Sequence, residues 1–181
     1  MTSSRRAFLA GTGSALVVSA GLGCVTDEAA VADDEAPKHP LAGLADFDGA
    51  ALKDDPVVPI LGRPATIVDF WASWCGPCRP SFRHLDQLYR TFLPRGLDMI
   101  AVSVDDDPVA ARRFWAQNRP RFPVAWDHTA VVRERFGVVS LPTTLLLDEH
   151  GSIVVRSTGF ELAEHRYLEE QVRRLVGGVD G

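Results

Sequence analysis

The sequence predicts an α/β domain: a central mixed β-sheet with helices on both faces. Three observations carry that expectation. An apolar run, an amphipathic stretch and a second apolar run succeed one another over residues 65–104, the pattern of a strand–helix–strand unit. Two more apolar runs, residues 143–147 and 152–156, are joined by Asp148-Glu149-His150-Gly151, which reads as a hairpin turn. A segment with helical spacing, starting near Leu162, closes the chain.

Length and composition bound the answer before any element is placed. The 181 residues are 46% hydrophobic and 24% charged, ordinary values for a soluble globular chain. Once a leader is set aside, one domain remains, large enough to bury a core without staples. Net charge is −5, and Arg5 and Arg6 are the only charges ahead of Cys24, so the remainder is more acidic still. No basic patch interleaved with aromatics appears, and nucleic acid is not an expected partner.

The leader occupies residues 1–23. Ser4-Arg5-Arg6-Ala7-Phe8-Leu9 has the paired arginines and apolar followers of a twin-arginine export signal. The apolar stretch of residues 8–23 is diluted by Gly and Ser and is too short and weakly apolar for a membrane span. An ordinary secretory signal that happens to carry Arg-Arg is the alternative. Either way the mature domain is expected outside the cytoplasm, where disulfides persist. Gly21-Leu22-Gly23-Cys24 resembles a lipoprotein cleavage box, with Gly21 where that pattern prefers Leu. Lipidation of Cys24 would account for the third cysteine and anchor the protein to the membrane.

Residues 24–45 read as an acidic flexible tether, because residues 26–40 are rich in Asp, Glu, Ala and Pro and nearly free of large apolar side chains. The folded domain is expected over residues 46–178. Phe47, Leu52 and Val57-Val58-Pro59-Ile60 leave room for one short leading strand.

The main elements follow. Residues 65–71, apolar on both faces except for Asp69, form a strand. Phe82, Leu85, Tyr89 and Phe92 paint one face of a helix over residues 79–93, with Pro80 in its first turn and Pro94 and Gly96 as stops. Residues 97–104 give a second strand, hence a parallel pair with a right-handed crossover. Asp105-Asp106-Asp107-Pro108 reads as a solvated loop, with Asp107 as N-cap and Pro108 at the first helical position. Ala111, Phe114 and Trp115 are the buried face of the next helix, and Arg112, Arg113, Arg119 and Arg121 its solvated side. A short strand (122–126) and a short helix (130–136) closed by Gly137 complete an inserted αβα-like stretch. The hairpin follows, and Leu168, Val172, Leu175 and Val176 mark the last helix.

Trp74-Cys75-Gly76-Pro77-Cys78 lies between the first strand and its helix. A C-x-x-C in that position reads as a redox pair, joined across a tight turn with both sulfurs open to one side. Half of a zinc site and a purely structural disulfide are the alternatives; the first needs a second ligand cluster, and the only other cysteine is Cys24. No metal and no cofactor are expected.

DFWASWCGPC closely resembles the thioredoxin active site, and AVSVD, FPVAWD, FGVVSLPTTLLLD and HGSIVVRSTG extend the likeness in order over residues 60–176. The pattern resembles exported thioredoxin-like reductases of the TlpA/ResA type, redoxin-like members of the thioredoxin superfamily. The resemblance implies a thioredoxin fold with a strand/helix element inserted between a βαβ half and a C-terminal ββα half. It also implies reduction of protein disulfides, and Gly76-Pro77 sets the expected direction. Its site residues carry over onto Cys75, Cys78, Asp69 and Pro142, with the Leu141–Pro142 bond cis and facing the cysteines. This type often has Glu three residues after the second cysteine; here that residue is Ser81, and the acid is Asp69, as in thioredoxins.

Roles follow from chemistry. Cys75 sits where free helix N–H groups and the helix dipole favour a thiolate, so it is the expected nucleophile. Cys78, one turn inward, is the resolving thiol. Asp69, desolvated in an apolar strand, should have a raised pKa and take the proton from Cys78; a buried Asp satisfied by backbone donors is the structural alternative. Trp74 reads as a half-exposed platform and Trp71 as core. Trp74, Gly76, Pro77, Leu141, Pro142 and Thr143 are candidates for binding an extended client segment. Expected partners are protein thiol or disulfide clients, those of cytochrome c maturation included, and a membrane thiol donor; a monomer is expected. A thioredoxin-fold binding module such as a metallochaperone, and a peroxiredoxin-like peroxidase, are the competing classes; the second lacks its Pro-x-x-x-Thr-x-x-Cys arrangement around Cys75.

Overall fold

Leu41, Leu44 and residues 62–177 are described by a computed structural model of the chain. The expected export signal, Cys24, most of the expected tether and most of the segment expected to hold a leading strand lie outside the described residues. Leu41 and Leu44 are nevertheless 3% and 5% exposed and belong to the core cluster. Both fall within residues 24–45, the stretch expected from sequence to be a tether.

The strand–helix–strand unit is β1 (Ala65–Trp71), α1 (Cys78–Phe92) and β2 (Leu97–Ser103). It is followed by α2 (Pro108–Asn118), β3 (Val124–Trp126) and α3 (Val131–Arg135), then by the hairpin β4 (Thr143–Asp148) and β5 (Ile153–Thr158), and α4 (Leu162–Gly177). The five strands form one sheet in the order β3-β2-β1-β4-β5. β1 pairs parallel with β2 and antiparallel with β4, so the sheet is mixed and β1 is its middle strand. That place explains why all seven of its residues, Asp69 included, are buried.

Alternation along β1 separates two faces. Trp71 stacks on Phe114 of α2 at 4.9 Å and meets Phe82 of α1 edge-on at 5.1 Å between ring centroids. Asp69, two residues earlier, shares that face. Phe70 points the other way, 5.8 Å from Phe136 at the end of α3. α1 also packs against α4. The aromatic group Trp71, Phe82, Phe114, Trp115 and Phe122 fills the α1–α2 side, as the apolar spacing of both helices anticipates.

Helix boundaries have local causes. Pro80 is the third residue of α1, where a backbone N–H would have no partner within the helix. A 3-10 turn over Leu93–Arg95 ends on Gly96 at φ 97°, a left-handed cap open to glycine. Asp107 caps α2 as expected, accepting from the N–H of Val109 at 2.8 Å, and Pro108 opens the helix. Its neighbour departs from expectation. Asp105 is not part of a solvated loop: it is 4% exposed and bound into the site described next.

Candidate active site

Cys75 and Cys78 are joined by a disulfide at the start of α1, their Cα atoms 5.4 Å apart. The chain turns into this position through Cys75 N–H donating to the carbonyl of Ala72 at 3.1 Å. No side chain caps α1, its first turn carries no acidic residue, and Pro77 stands at the N-cap. The helix thus leaves its N-terminal field for a thiolate beside it. The sulfurs are not equivalent. Cys75 borders a groove of about 500 Å³, whereas Cys78 is fully buried. Cys75, 4% exposed, lines the groove, and Cys78 does not.

Asp69 is fully buried on the α1 side of β1. Thr144, its partner across the β1–β4 ladder, donates its hydroxyl to Oδ1 at 2.7 Å. Oδ2 has no partner, so the carboxylate is not the backbone-satisfied Asp of the structural alternative. Burial raises its pKa from 3.8 to about 7, while the Thr144 bond pulls the other way. Of the three other buried polar atoms without partners among the described residues, Trp71 Nε1 and Ser81 Oγ belong to the same strand and to the helix that begins at Cys78, and Gln171 Nε2 to α4. Trp71 is core, as expected.

The groove brings together Trp74, Cys75, Gly76, Pro77 and Leu141 with Val104, Arg133, Val138, Val139 and Ser140. Trp74 is 71% exposed, more open than the half-buried platform expected. The Leu141–Pro142 peptide is cis. Pro142 and Thr143 are buried and shape the wall from within: the Pro142 carbonyl accepts from Gly159 N–H at 2.8 Å, and Thr143 Oγ1 donates to the Ser140 carbonyl at 2.7 Å. Val104, Arg133, Val138, Val139 and Ser140 went unsuspected in the sequence. Three of them directly precede Leu141-Pro142, and that adjacency was the available signal.

Asp105 is the second residue the sequence reading misplaced. Its carboxylate accepts from the Ser73 N–H at 2.9 Å, the Ser73 hydroxyl at 2.6 Å and the Ser103 hydroxyl at 2.9 Å. Its own carbonyl accepts from Trp126 Nε1 on β3 at 2.7 Å. The loop carrying Trp74 and Cys75 is thereby fastened to the end of β2 and, through it, to the inserted strand. Charge-assisted bonds of this kind are the stronger ones, which suits a turn that must hold its sulfur in place.

The raised Asp69 pKa has a consequence for stability. Between 3.8 and about 7 the folded chain holds this proton more tightly than the unfolded one. Stability from this group is therefore full below the lower value and is lost as pH rises toward the upper one. In the disulfide form, Asp69→Asn should match wild type at about pH 4 and melt several degrees higher at about pH 8. A difference in melting temperature that stays constant over that range would show that Asp69 ionises normally.

Residues 62–172 match the Redoxin family model. A thiol-disulfide oxidoreductase ResA of Bacillus thuringiensis subsp. konkukian is 31% identical over 109 residues, 60% of this chain. The chain spans 62% of that relative's length. ResA of Bacillus subtilis is 29% identical over 174 residues, covering 93% of this chain and 94% of the relative. Among solved structures, a Chlorobium tepidum protein assigned as a thiol:disulfide interchange protein DsbE superposes with a TM-score of 0.63 at 34% identity, over 66% of this chain and 84% of that one. The mixed sheet, the flanking helices and the cysteine pair at the start of α1 agree with these likenesses, and the chain belongs to the redoxin family, with a thioredoxin-like fold of the ResA/TlpA type.

Proposed function

We propose that the protein is an exported thiol–disulfide oxidoreductase that reduces protein disulfides. One observation carries the reading: of two cysteines at an uncapped helix start, only Cys75 opens onto a groove, while Cys78 is buried on the helix that faces Asp69. In the reduced state the Cys75 thiolate attacks a client disulfide. A Cys75–client bond forms, the client's own S–S bond breaks, and its second sulfur leaves as a thiolate that takes up a proton. Cys78 then gives its proton to Asp69 and attacks Cys75 Sγ. The Cys75–Cys78 disulfide forms and the client departs with both sulfurs reduced. Two electrons have passed to the client, and a dithiol donor must return them.

Asp69 suits the base role because its pKa of about 7 keeps both protonation states populated near neutrality. Thr144 fixes the carboxylate from one side and leaves Oδ2 unengaged. Ser81 supplies no carboxylate at the position where related reductases often have Glu, so the proton transfer falls to Asp69. Trp74, Leu141 and the cis-Pro142 turn form the surface on which an extended client segment would lie.

Export by a twin-arginine signal and lipidation at Cys24 complete the proposal, on the motifs of residues 4–9 and 21–24. A tether from Cys24 would hold the domain at the membrane surface, within reach of a membrane thiol donor. Among the described residues no helix is long and apolar enough to cross a membrane. The Cys24 assignment predicts that the exported protein sediments with membranes and that Cys24→Ala releases it; equal release of both forms would refute lipidation.

Rapid-quench trapping tests the chemistry. Cys78→Ser should accumulate a mixed disulfide through Cys75, and Cys75→Ser should form none. Asp69→Asn should form the adduct at a near-normal rate but resolve it about 10²-fold more slowly at neutral pH, without the wild-type rise through about pH 7. Adducts formed through Cys78 would reverse the assignment of the two cysteines. An unchanged resolution rate would remove Asp69 from the proton path.

A further inference from the structure

Resting on the disulfide-reductase reading, we propose that the groove beside Cys75 selects extended client segments carrying an acidic side chain close to the reactive cysteine, and that Arg133 makes this selection. The groove walls are apolar: Trp74, Val104, Val138, Val139 and Leu141 line it, and Val139 is 94% exposed. Apart from Cys75, Arg133 is the one ionisable side chain among the lining residues. It is half-buried and lines the groove together with these apolar residues.

The backbone that presents Arg133 is held at both ends of the residue. Its N–H donates to Asp127 Oδ2 at 2.7 Å, and its carbonyl accepts from Val138 N–H at 2.8 Å. Asp127 is itself buried and also accepts from Val132 N–H at 3.2 Å. This carboxylate pins the short helix α3 to the loop after β3 and fixes where its arginine stands relative to Cys75. A charge on an anchored backbone discriminates between partners better than one on a free loop, because less order is lost when the partner arrives.

Two electrostatic effects compete here, and their ranges decide between them. The chain as a whole carries −5, which favours basic clients at a distance. At physiological salt the Debye length is about 8 Å, so charges on distant faces are largely screened inside the groove. The local cation therefore governs the bound segment. An extended client that brings a disulfide sulfur to Cys75 lays its flanking side chains along the same walls as Arg133. Apolar neighbours suit Trp74, Val138 and Val139, and a carboxylate suits the guanidinium, which accepts a bidentate partner.

The test uses the full-length protein in its reduced form and three synthetic disulfide-bonded peptides, identical except for Glu, Gln or Lys two residues from the cysteine. Wild type should reduce the Glu peptide with a kcat/KM about tenfold above that for the Lys peptide at low salt, the gap closing as ionic strength rises. Arg133→Gln should nearly equalise the three, and Arg133→Glu should reverse their order. The Glu-to-Lys ratio is read within each variant, so a partial loss of folding or turnover cancels. The same ratio in wild type and Arg133→Glu overturns the proposal. Hydroxyethyl disulfide, uncharged and small, separates the two readings in wild type. Its reduction alongside a flat peptide series overturns the charge selection alone; failure to reduce it overturns the activity and the selection together.

Discussion

Everything at this site depends on a carboxyl group held away from water with half of its acceptors unused. Asp69 stands in the middle strand of a five-stranded sheet, covered on both faces, and receives one side-chain hydrogen bond, from Thr144. Burying an ionised carboxylate without compensation is expensive, so the group responds by keeping its proton to about pH 7. The core around it is dense enough to sustain the penalty: Trp71, Phe82 and Phe114 lock β1 to α1 and α2 on the same face. An acid of that kind is of little use to stability. In the proposed function its use is to take the proton that a buried thiol must lose before it can attack.

The remaining parts occupy the end of the sheet where β1 and β2 run out and β4 begins. Parallel pairing of β1 and β2 brings the Ala72–Cys75 turn beside Ser103 and Asp105, and the antiparallel pairing of β1 with β4 brings Pro142 and Thr143 to the same end. Helix α1 starts there as well, so its N-terminal field, the sulfurs and the groove beside Cys75 converge. Asp105 links this turn to the inserted strand β3 through Trp126. α3, also part of the insert, contributes Arg133 to the groove. The insertion is thus more than a sheet extension: it reaches the site twice, once to brace the cysteine turn and once to line the wall.

Much of this could be read from the chain itself, for physical reasons that differ by residue. Periodicity located β1, α1, β2 and α4 within a residue or two, because their apolar spacing is strong and Pro or Gly stands at or near their ends. The cysteine pair and Asp69 were legible because a polar group in an apolar strand, or two thiols at a helix start, stand out against their surroundings. Asp105 and Thr144 did not stand out. One lies in an acidic run that looks solvated, the other in a Thr-Thr pair ordinary for a strand, and only sheet register brings each to its partner. Arg133 resembled any surface arginine on a short helix.

The central claim is that Asp69 titrates near neutrality because it is buried and half-satisfied. Carboxyl-carbon NMR of the disulfide form, labelled at aspartate and assigned by comparison with Asp69→Asn, measures that directly. A titration midpoint at about 7 for Asp69 is the result this account predicts. A midpoint near the ordinary value of 3.8 would contradict it, showing that water reaches the carboxylate and that the proton path runs elsewhere.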